Sequence, residues 1–344
     1  MQGGAWLTGG LDALAGETGW DPASAEIMVG TSAGSMLAAL LAGGVPPWFM
    51  VAHSAGETFE SITDASGRPA ADADRTGGAV FKLDPWPPPI GPGSWPLALR
   101  ALARPRRYTP ASVVSGWLPR GIVSNVPLRE QVRRVVPSGW GPHPGLWVVA
   151  CDYATGARVA FGRRGSPPAE LADAVAASCA IPGFYRPVEI GGRRYVDGGM
   201  YSASNLDLLR AEDLDLVICL NPTSSLHPIR AIDPREWGAF VFRHASGRRL
   251  GSEAKKLRIA GTPTVLVQPL EEDLQTMSRN LMSTRNRNAV IAVARATVAA
   301  QLRAPEVAEL LAELPPGRPE KVTRPDLPPA EWPPLADLQP RAAT

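Results

Sequence analysis

The sequence predicts an α/β protein with helices on both faces of a mostly parallel sheet, that is, a three-layer α/β/α sandwich. The main observation is that short apolar runs, often β-branched, alternate with segments of helical periodicity along most of the chain. The second is composition, because 44% hydrophobic and 20% charged residues in a chain of 344 are typical of a globular protein with a sizeable core. The formal net charge of +2 excludes a protein that binds nucleic acid through its overall charge.

The first 55 residues are predicted to contain one buried strand between helices. Apolar residues recur at helical spacing over 4–15, and the run 27–29 has the β-branched bias of a short strand. This strand leads directly into a strongly apolar helix over 36–42. Another helix is expected to open at Pro46 and Pro47, because proline is tolerated in a first helical turn.

Residues 57–115 are predicted to form an irregular insertion or lid. They are polar at first and then rich in Pro and Trp. Short helices are expected near 97–103 and, beyond the insertion, near 127–136.

Regular structure is predicted again from residue 146, in an order that alternates strands and helices. We expect two hairpins, over 146–162 and 188–199, with a helix between them and a turn at Gly191 and Gly192 in the second. Later segments comprise a helix near 205–211, a strand over 214–222, a helix over about 234–258, a strand over 263–270 and a helix over 283–311. The whole forms one catalytic domain, 1–312, followed by a Pro-rich tail, 313–344, that is predicted to be disordered.

Three cysteines, Cys151, Cys179 and Cys219, lie far apart in apolar stretches. An odd, scattered set argues against a disulfide framework, so we expect them to be reduced and buried. No cluster of Cys and His indicates a metal, and no motif indicates a cofactor. No leader with a charged start and no apolar run of about 18 residues is present, which predicts a cytoplasmic protein, with peripheral membrane contact left open.

Gly30-Thr31-Ser32-Ala33-Gly34 is a GxSxG sequence between a predicted strand and a predicted helix. A nucleophile on such a sharp turn needs small neighbours, here Gly30 and Gly34, because backbone segments press together there. The following helix points its N-terminus at Ser32, and the Ala33 amide is a natural donor to an oxyanion. The competing interpretation is a helix capped by serine with packing glycines, and the strand and helix around the motif favour the nucleophile.

A catalytic serine needs a proton acceptor within hydrogen-bond reach. A histidine base would give the chain order Ser32, Asp197, His227 or His244, as in α/β-hydrolases. In that fold an earlier strand supplies part of the oxyanion hole, and only 31 residues precede Ser32, which argues against it. The four histidines are His53, His143, His227 and His244.

The other candidate base is Asp197, which ends a predicted strand and precedes Gly198 and Gly199. The two glycines permit a tight turn and a close backbone approach. Burial would raise the carboxyl pKa above its reference value of about 3.9 and make it a better base. An ordinary Asp-Gly turn at a strand end is the alternative interpretation.

Three blocks together resemble the patatin-like phospholipase family. They are 5–14, the nucleophile block 27–35, and 174–209, which contains Asp197-Gly198-Gly199 and a following Asn-x-Asp. The resemblance covers roughly 1–50 and 145–300 and implies a serine lipid-acyl hydrolase, either a phospholipase A or a non-specific acyl esterase. It also implies a Ser–Asp dyad, in which Ser32 attacks the ester carbonyl, Asp197 accepts the proton, and water hydrolyses the acyl-enzyme.

The sequence departs from the family pattern at its N-terminus. The family opens with an apolar strand and a GGGxxG loop whose amides stabilise the oxyanion, whereas Gly3 and Gly4 here resemble only the tip of that loop. Losing one oxyanion donor costs a factor of about 100 to 1,000 in rate, and losing a central strand exposes a neighbouring edge. We therefore expect impaired activity and stability, or alternatively a lipid-binding or regulatory protein. Adding upstream codons should raise esterase activity, and no gain would contradict this expectation.

The region 81–118 mixes aromatic and basic residues, a combination that suits a membrane–water interface. It is predicted either to cover the site and contact lipid, or to be a Pro-rich surface loop with solvated charges. The residues concerned are Trp86, Trp95, Trp117, Arg100, Arg104, Arg106 and Arg107.

Overall fold

The structure is a computed structural model that describes residues 2–55, 57, 82–84, 90–225, 237–277 and 286–324. The candidates His227 and Trp86, together with much of the predicted insertion, lie outside these residues.

Twelve α-helices occur in the described residues, and most lie where the sequence predicts them. They are α1 (Gln2–Thr18), α2 (Ala33–Ala42), α3 (Pro47–Ala55), α4 (Trp95–Ala103), α5 (Pro110–Trp117), α6 (Val126–Arg133), α7 (Leu171–Ser178), α8 (Trp237–Ile259), α9 (Glu271–Thr276), α10 (Arg287–Leu302), α11 (Pro305–Leu311) and α12 (Pro319–Val322). The predicted helix over 283–311 is two helices, because Pro305 opens a new first turn and disfavours helical backbone just before it. The segment Leu206–Ala211 is a 3₁₀ helix.

The described strands form a mixed sheet of five and a separate parallel pair. They are β1 (Met28–Thr31), β2 (Leu146–Asp152), β3 (Arg158–Phe161), β4 (Val188–Ile190), β5 (Arg193–Asp197), β6 (Val217–Leu220) and β7 (Thr264–Val267). β1 runs parallel to β2, and β6 runs parallel to β7. The two predicted hairpins add antiparallel pairs, β2 with β3 and β4 with β5, and β5 also pairs with β2. The α/β class is confirmed.

β2 is the centre of the fold and is buried along its whole length. Its alternate side chains enter two different apolar clusters: Val148 and Ala150 belong to one, and Trp147 and Val149 to the other. Because successive strand residues point to opposite faces, the sheet is covered on both sides. This arrangement is the predicted three-layer sandwich.

Helix α1 packs closely on α10 beside the sheet. A Cβ on Gly9 would lie 2.4 Å from the carbonyl oxygen of Ile291, so only glycine allows this approach. The three cysteines are free and buried, as predicted, and burial raises the pKa of each thiol to about 12. Within the described ranges no single helix is long and apolar enough to span a bilayer. Helices α2 and α3 would be long and apolar enough only together, and their axes are bent by 118° relative to each other.

The predicted disordered tail, 313–344, is described only as far as residue 324. Over 313–324 the prediction of disorder is wrong, because this segment contains α12 and packs against the domain. Lys321 is buried, and its ammonium donates a 2.6 Å hydrogen bond to the carbonyl of Gly44. Residues 325–344 lie outside the description.

Two sheet edges face each other across a cavity. Among the described residues, β1 pairs only with β2, and β6 pairs only with β7. Residues of β1 and β6, but none of β2 or β7, line a cavity of about 810 Å³. No described strand lies between β1 and β6.

Candidate active site

Ser32 lies on a sharp turn between β1 and α2. Its φ of 52° and ψ of −126° are strained for a residue with a side chain, as the nucleophile motif predicts. A Cβ on Gly30 would lie 2.5 Å from the Cα of Ser35, so glycine is required there. A Cβ on Gly34 would meet only Leu7, at 3.9 Å, so the second glycine of the motif has no such steric cause.

Sheet register brings Asp197 to the level of Ser32. Thr31 pairs with Val149 of the parallel strand β2, and Asp197 of the antiparallel strand β5 pairs with Ala150, so the carboxyl ends of β1 and β5 lie at the same level on either side of β2. The Ser32 side chain lies near enough to the Asp197 carboxyl to lower its pKa through hydrogen bonding. Both residues of the predicted dyad also line one cavity.

The two glycines after Asp197 shape the turn that holds its carboxylate. The amide of Gly199 donates to Asp197 Oδ1 at 2.7 Å. A Cβ on Gly198 would lie 2.4 Å from the carbonyl oxygen of Val149, so only glycine fits between the carboxylate and β2.

The pKa of Asp197 is raised to about 6 because the carboxyl is buried, with 6% exposure. Hydrogen bonds from the Gly199 amide and the Ser32 hydroxyl act in the opposite direction and stabilise the carboxylate. A pKa near 6 leaves Asp197 ionised at neutral pH and much more basic than an exposed aspartate. This combination suits a general base.

Ser178 holds the backbone of the nucleophile in place, a role that the sequence did not reveal. The Ser32 amide donates to Ser178 Oγ at 2.9 Å, and this hydroxyl donates to the carbonyl of Val149 at 2.6 Å. Ser178 is fully buried at the end of the Ala-rich helix α7. A polar residue without an obvious partner in so apolar a helix is the signal that could have pointed to it.

Asn205 is a second supporting residue, located in the Asn-x-Asp sequence. Its φ is 52°, and its side-chain amide donates to Thr31 Oγ1 at 3.0 Å, directly before the nucleophile. Arg158 donates to the side-chain oxygen Oδ1 of Asn205 at 3.1 Å and forms an ion pair with Asp207 at 2.6 Å. This chain of contacts links the elbow to the loop that follows Asp197.

The candidate oxyanion donors lie at two helix ends. Gly3 and Gly4, expected in a loop, are instead in the first turn of α1, and Ala33 begins α2. A Cβ on Gly4 would lie 3.5 Å from the Cβ of Ala33, and all three residues line the same cavity as Ser32. The first four amides of a helix have no acceptor within it, so both helices direct unpaired donors and positive dipole ends toward this region.

The described histidines lie away from Ser32, because none of them lines the cavity that contains it. His143 contacts the carbonyl of Ala25 at 2.8 Å, and His53 stacks on Phe49 in α3. His244 is an exposed residue of α8. These positions give no support to a histidine base among the described residues.

The cavity at Ser32 is mainly apolar. On the side of the carboxyl strand ends it is bordered by Val114, Leu118, Ile181 and Met200. On the other side it extends between β1 and β6. An apolar cavity with a few polar groups at one end suits a ligand with a long hydrocarbon part.

The fold and the elbow define an α/β protein with a buried carboxylate at a strained serine. The sequence model of the patatin-like phospholipase family matches residues 1–210, and the chain belongs to this family. The match includes both Ser32 and Asp197, and it also covers the segment 57–115, which the sequence blocks did not identify. Membership supports lipid acyl hydrolase activity in general.

Proposed function

We propose that the protein hydrolyses acyl esters of lipids through a Ser32–Asp197 dyad and an acyl-enzyme. Ser32 Oγ attacks the carbonyl carbon while its proton passes to Asp197, and the tetrahedral intermediate collapses as the alcohol leaves with that proton. A water molecule then attacks the acyl-enzyme and gives a proton to Asp197, which passes it to Ser32 Oγ as the bond from Oγ to the acyl carbon breaks and the fatty acid leaves.

The position of the Ser32 side chain beside the buried Asp197 carboxyl, in a cavity that both residues line, carries this proposal. Burial strengthens the base, while the strained turn exposes the nucleophile to the cavity. The Ser32 amide is bound by Ser178, so the Ala33 amide and the start of α1 are the candidates that stabilise the oxyanion.

The apolar cavity supports a lipid acyl chain as the part of the substrate beside Ser32. A phospholipase A and a non-specific acyl esterase both fit this surface, and contact with a lipid surface would supply either substrate. The second candidate function is a lipid-binding or regulatory protein. The lack of a described strand between β1 and β6, which both line the cavity, favours it.

Hydrolysis of p-nitrophenyl butyrate by the full chain tests the dyad. Ser32→Ala and Asp197→Asn should each abolish it, whereas the exposed control substitutions Ser138→Ala and Asp213→Asn should leave it unchanged. Hydrolysis that survives Ser32→Ala would reject the dyad. Absence of hydrolysis in every variant would favour the lipid-binding function.

The pH dependence provides an independent test of the base. Because Asp197 must be ionised and its pKa is about 6, kcat/KM should fall about tenfold per pH unit below 6 and be level above it. A profile that is flat down to pH 4 would contradict Asp197 as the base.

A further inference from the structure

The hairpin of α4 and α5, residues 95–118, carries an exposed apolar patch. Six of the eleven large apolar side chains exposed in the described chain belong to it: Trp95, Leu99, Leu102, Val114, Trp117 and Leu118. Trp95, Leu99 and Leu102 are spaced i, i+4, i+7, so they share one side of α4, opposite the buried Leu97. The rings of Trp95 and Trp117 meet edge to face with centroids 6.3 Å apart and join the two helices into one patch.

A basic cavity of about 660 Å³ adjoins the same helices. Arg100, Arg104 and Arg107 line it together with hydroxyl side chains that include Thr155 and Tyr201. No Asp or Glu is found among the described residues of its wall. Guanidinium groups and hydroxyls without a carboxylate partner are the set of donors that binds a phosphate.

The hairpin is fixed to the elements of the candidate active site. Thr109 Oγ1 donates to the carbonyl of Met200 at 2.6 Å, three residues after Asp197. The Tyr153 hydroxyl, just beyond β2, donates to the carbonyl of Ser115 at 2.9 Å. Val114 and Leu118 are exposed in the patch and also line the cavity of Ser32, so one apolar surface connects both.

We propose that this hairpin docks onto an anionic phospholipid bilayer, with its apolar patch inserted at the interface and a headgroup phosphate bound in the basic cavity. Apolar side chains beside arginines that have no carboxylate partner among the described residues match the two layers of such an interface. The continuity with the cavity of Ser32 favours lipid over a protein partner, because an acyl chain can pass along α5 without crossing water. The link to substrate supply rests on the proposed function, whereas the docking itself does not.

Vesicle sedimentation with the full-length Ser32→Ala variant tests docking without turnover. The protein should bind vesicles of phosphatidylglycerol and phosphatidylcholine, bind pure phosphatidylcholine much more weakly, and dissociate at high salt. Each basic residue near an anionic surface contributes about fivefold, so Arg104→Ala with Arg107→Ala should lower the partition coefficient about 25-fold. The exposed pair Arg133→Ala with Arg164→Ala is the matched control, with an expected change below about threefold.

The apolar patch is tested by Trp95→Ala with Leu99→Ala, which should weaken binding to the same vesicles by a similar factor at every salt concentration at which the parent still binds. Equal binding by all variants, or saturable binding of glycerol 1-phosphate without vesicle binding, would overturn the proposal. With Ser32 intact, hydrolysis of p-nitrophenyl butyrate by the Arg133→Ala/Arg164→Ala control should stay within about twofold of the unsubstituted protein, because both side chains are exposed and line neither cavity. If the protein with Ser32 intact shows no hydrolysis, the proposed function is rejected, whereas the docking proposal is unaffected.

Discussion

Ser32 lies between two sides of the molecule that differ in how completely their polar groups are paired. On the side of β2, β5 and α7, which we call the closed side, the main polar groups are paired. The Ser32 amide, the Asp197 carboxylate and the Val149 carbonyl all have hydrogen-bond partners within 3 Å. On the side of β1, β6 and the start of α1, which we call the open side, the wall of the cavity is mainly apolar. Two described sheet edges face each other there without a described strand between them.

The difference separates the base from the oxyanion donors. The position of the carboxylate is fixed by register and by glycine turns, so the proton-accepting half of the site is organised before substrate binds. The donors near Gly4 and Ala33 depend on where the first turn of α1 lies, and that turn borders the open side. We therefore expect substitutions on the closed side to damage the chemistry, and changes on the open side to improve it or to alter selectivity.

The largest effect is expected at Asp197 on the closed side. Asp197→Asn should lower kcat/KM by roughly 10⁴-fold, because the serine loses its base. It should also stabilise the fold at pH 7 by up to about 3 kcal/mol, since burial raises the folded pKa from 3.8 to about 6.

The sign of this stability effect follows from the protons bound. Between pH of about 4 and 6 the folded state binds more protons at Asp197 than the unfolded state, so the stability of the parent falls as pH rises through this window. Urea unfolding should therefore show an advantage of Asp197→Asn that is full above pH 7 and disappears toward pH 4. An advantage independent of pH would contradict the raised pKa.

The second largest effect on activity is expected from adding a strand between β1 and β6 on the open side. Gly3 adjoins Pro222 beyond β6, and Gly4 adjoins Ala33 beyond β1, so the start of α1 lies between the carboxyl ends of both strands. A designed N-terminal extension with an apolar strand and a glycine-rich turn should raise esterase activity about 100-fold and increase the melting temperature. A Gly-Ser extension of equal length is the control, and equal results for both would show that the gap plays no part.

The third effect concerns the support of the nucleophile. Ser178→Ala leaves the buried amide of Ser32 without an acceptor, which should cost about 1–3 kcal/mol of folding stability. The elbow should also loosen and kcat should fall about tenfold or more, with KM little changed. Chemical unfolding and steady-state kinetics beside Ser138→Ala measure both, and wild-type values would remove Ser178 from the site.

The smallest effect is expected at the acyl end of the cavity. Ile181→Trp fills space beside Ser32 and should lower kcat/KM for p-nitrophenyl dodecanoate about tenfold while leaving the butyrate ester nearly unchanged. Ile181→Leu conserves volume and is the control. An equal loss on both esters would place the acyl chain elsewhere.

Patterns within the sequence predicted most elements and both residues of the proposed dyad. Periodicity gives the helices and the two hairpins, and Gly30, Gly198 and Gly199 mark close approaches that act over a few residues. Local patterns were insufficient for the segment 313–324, whose order depends on contacts with residues more than 270 positions away.

Tertiary structure decided what depends on distant strands meeting. The contact of Ser32 with Asp197 requires both β1 and β5 to pair with β2, and the raised pKa of Asp197 requires the burial that results. The role of Ser178 depends on the same meeting, because its partners lie 29 and 146 positions away. Propensity and spacing act over a few residues, whereas burial and register arise only when the sheet is assembled, so the sequence determined which groups are present and the fold determined what each one does.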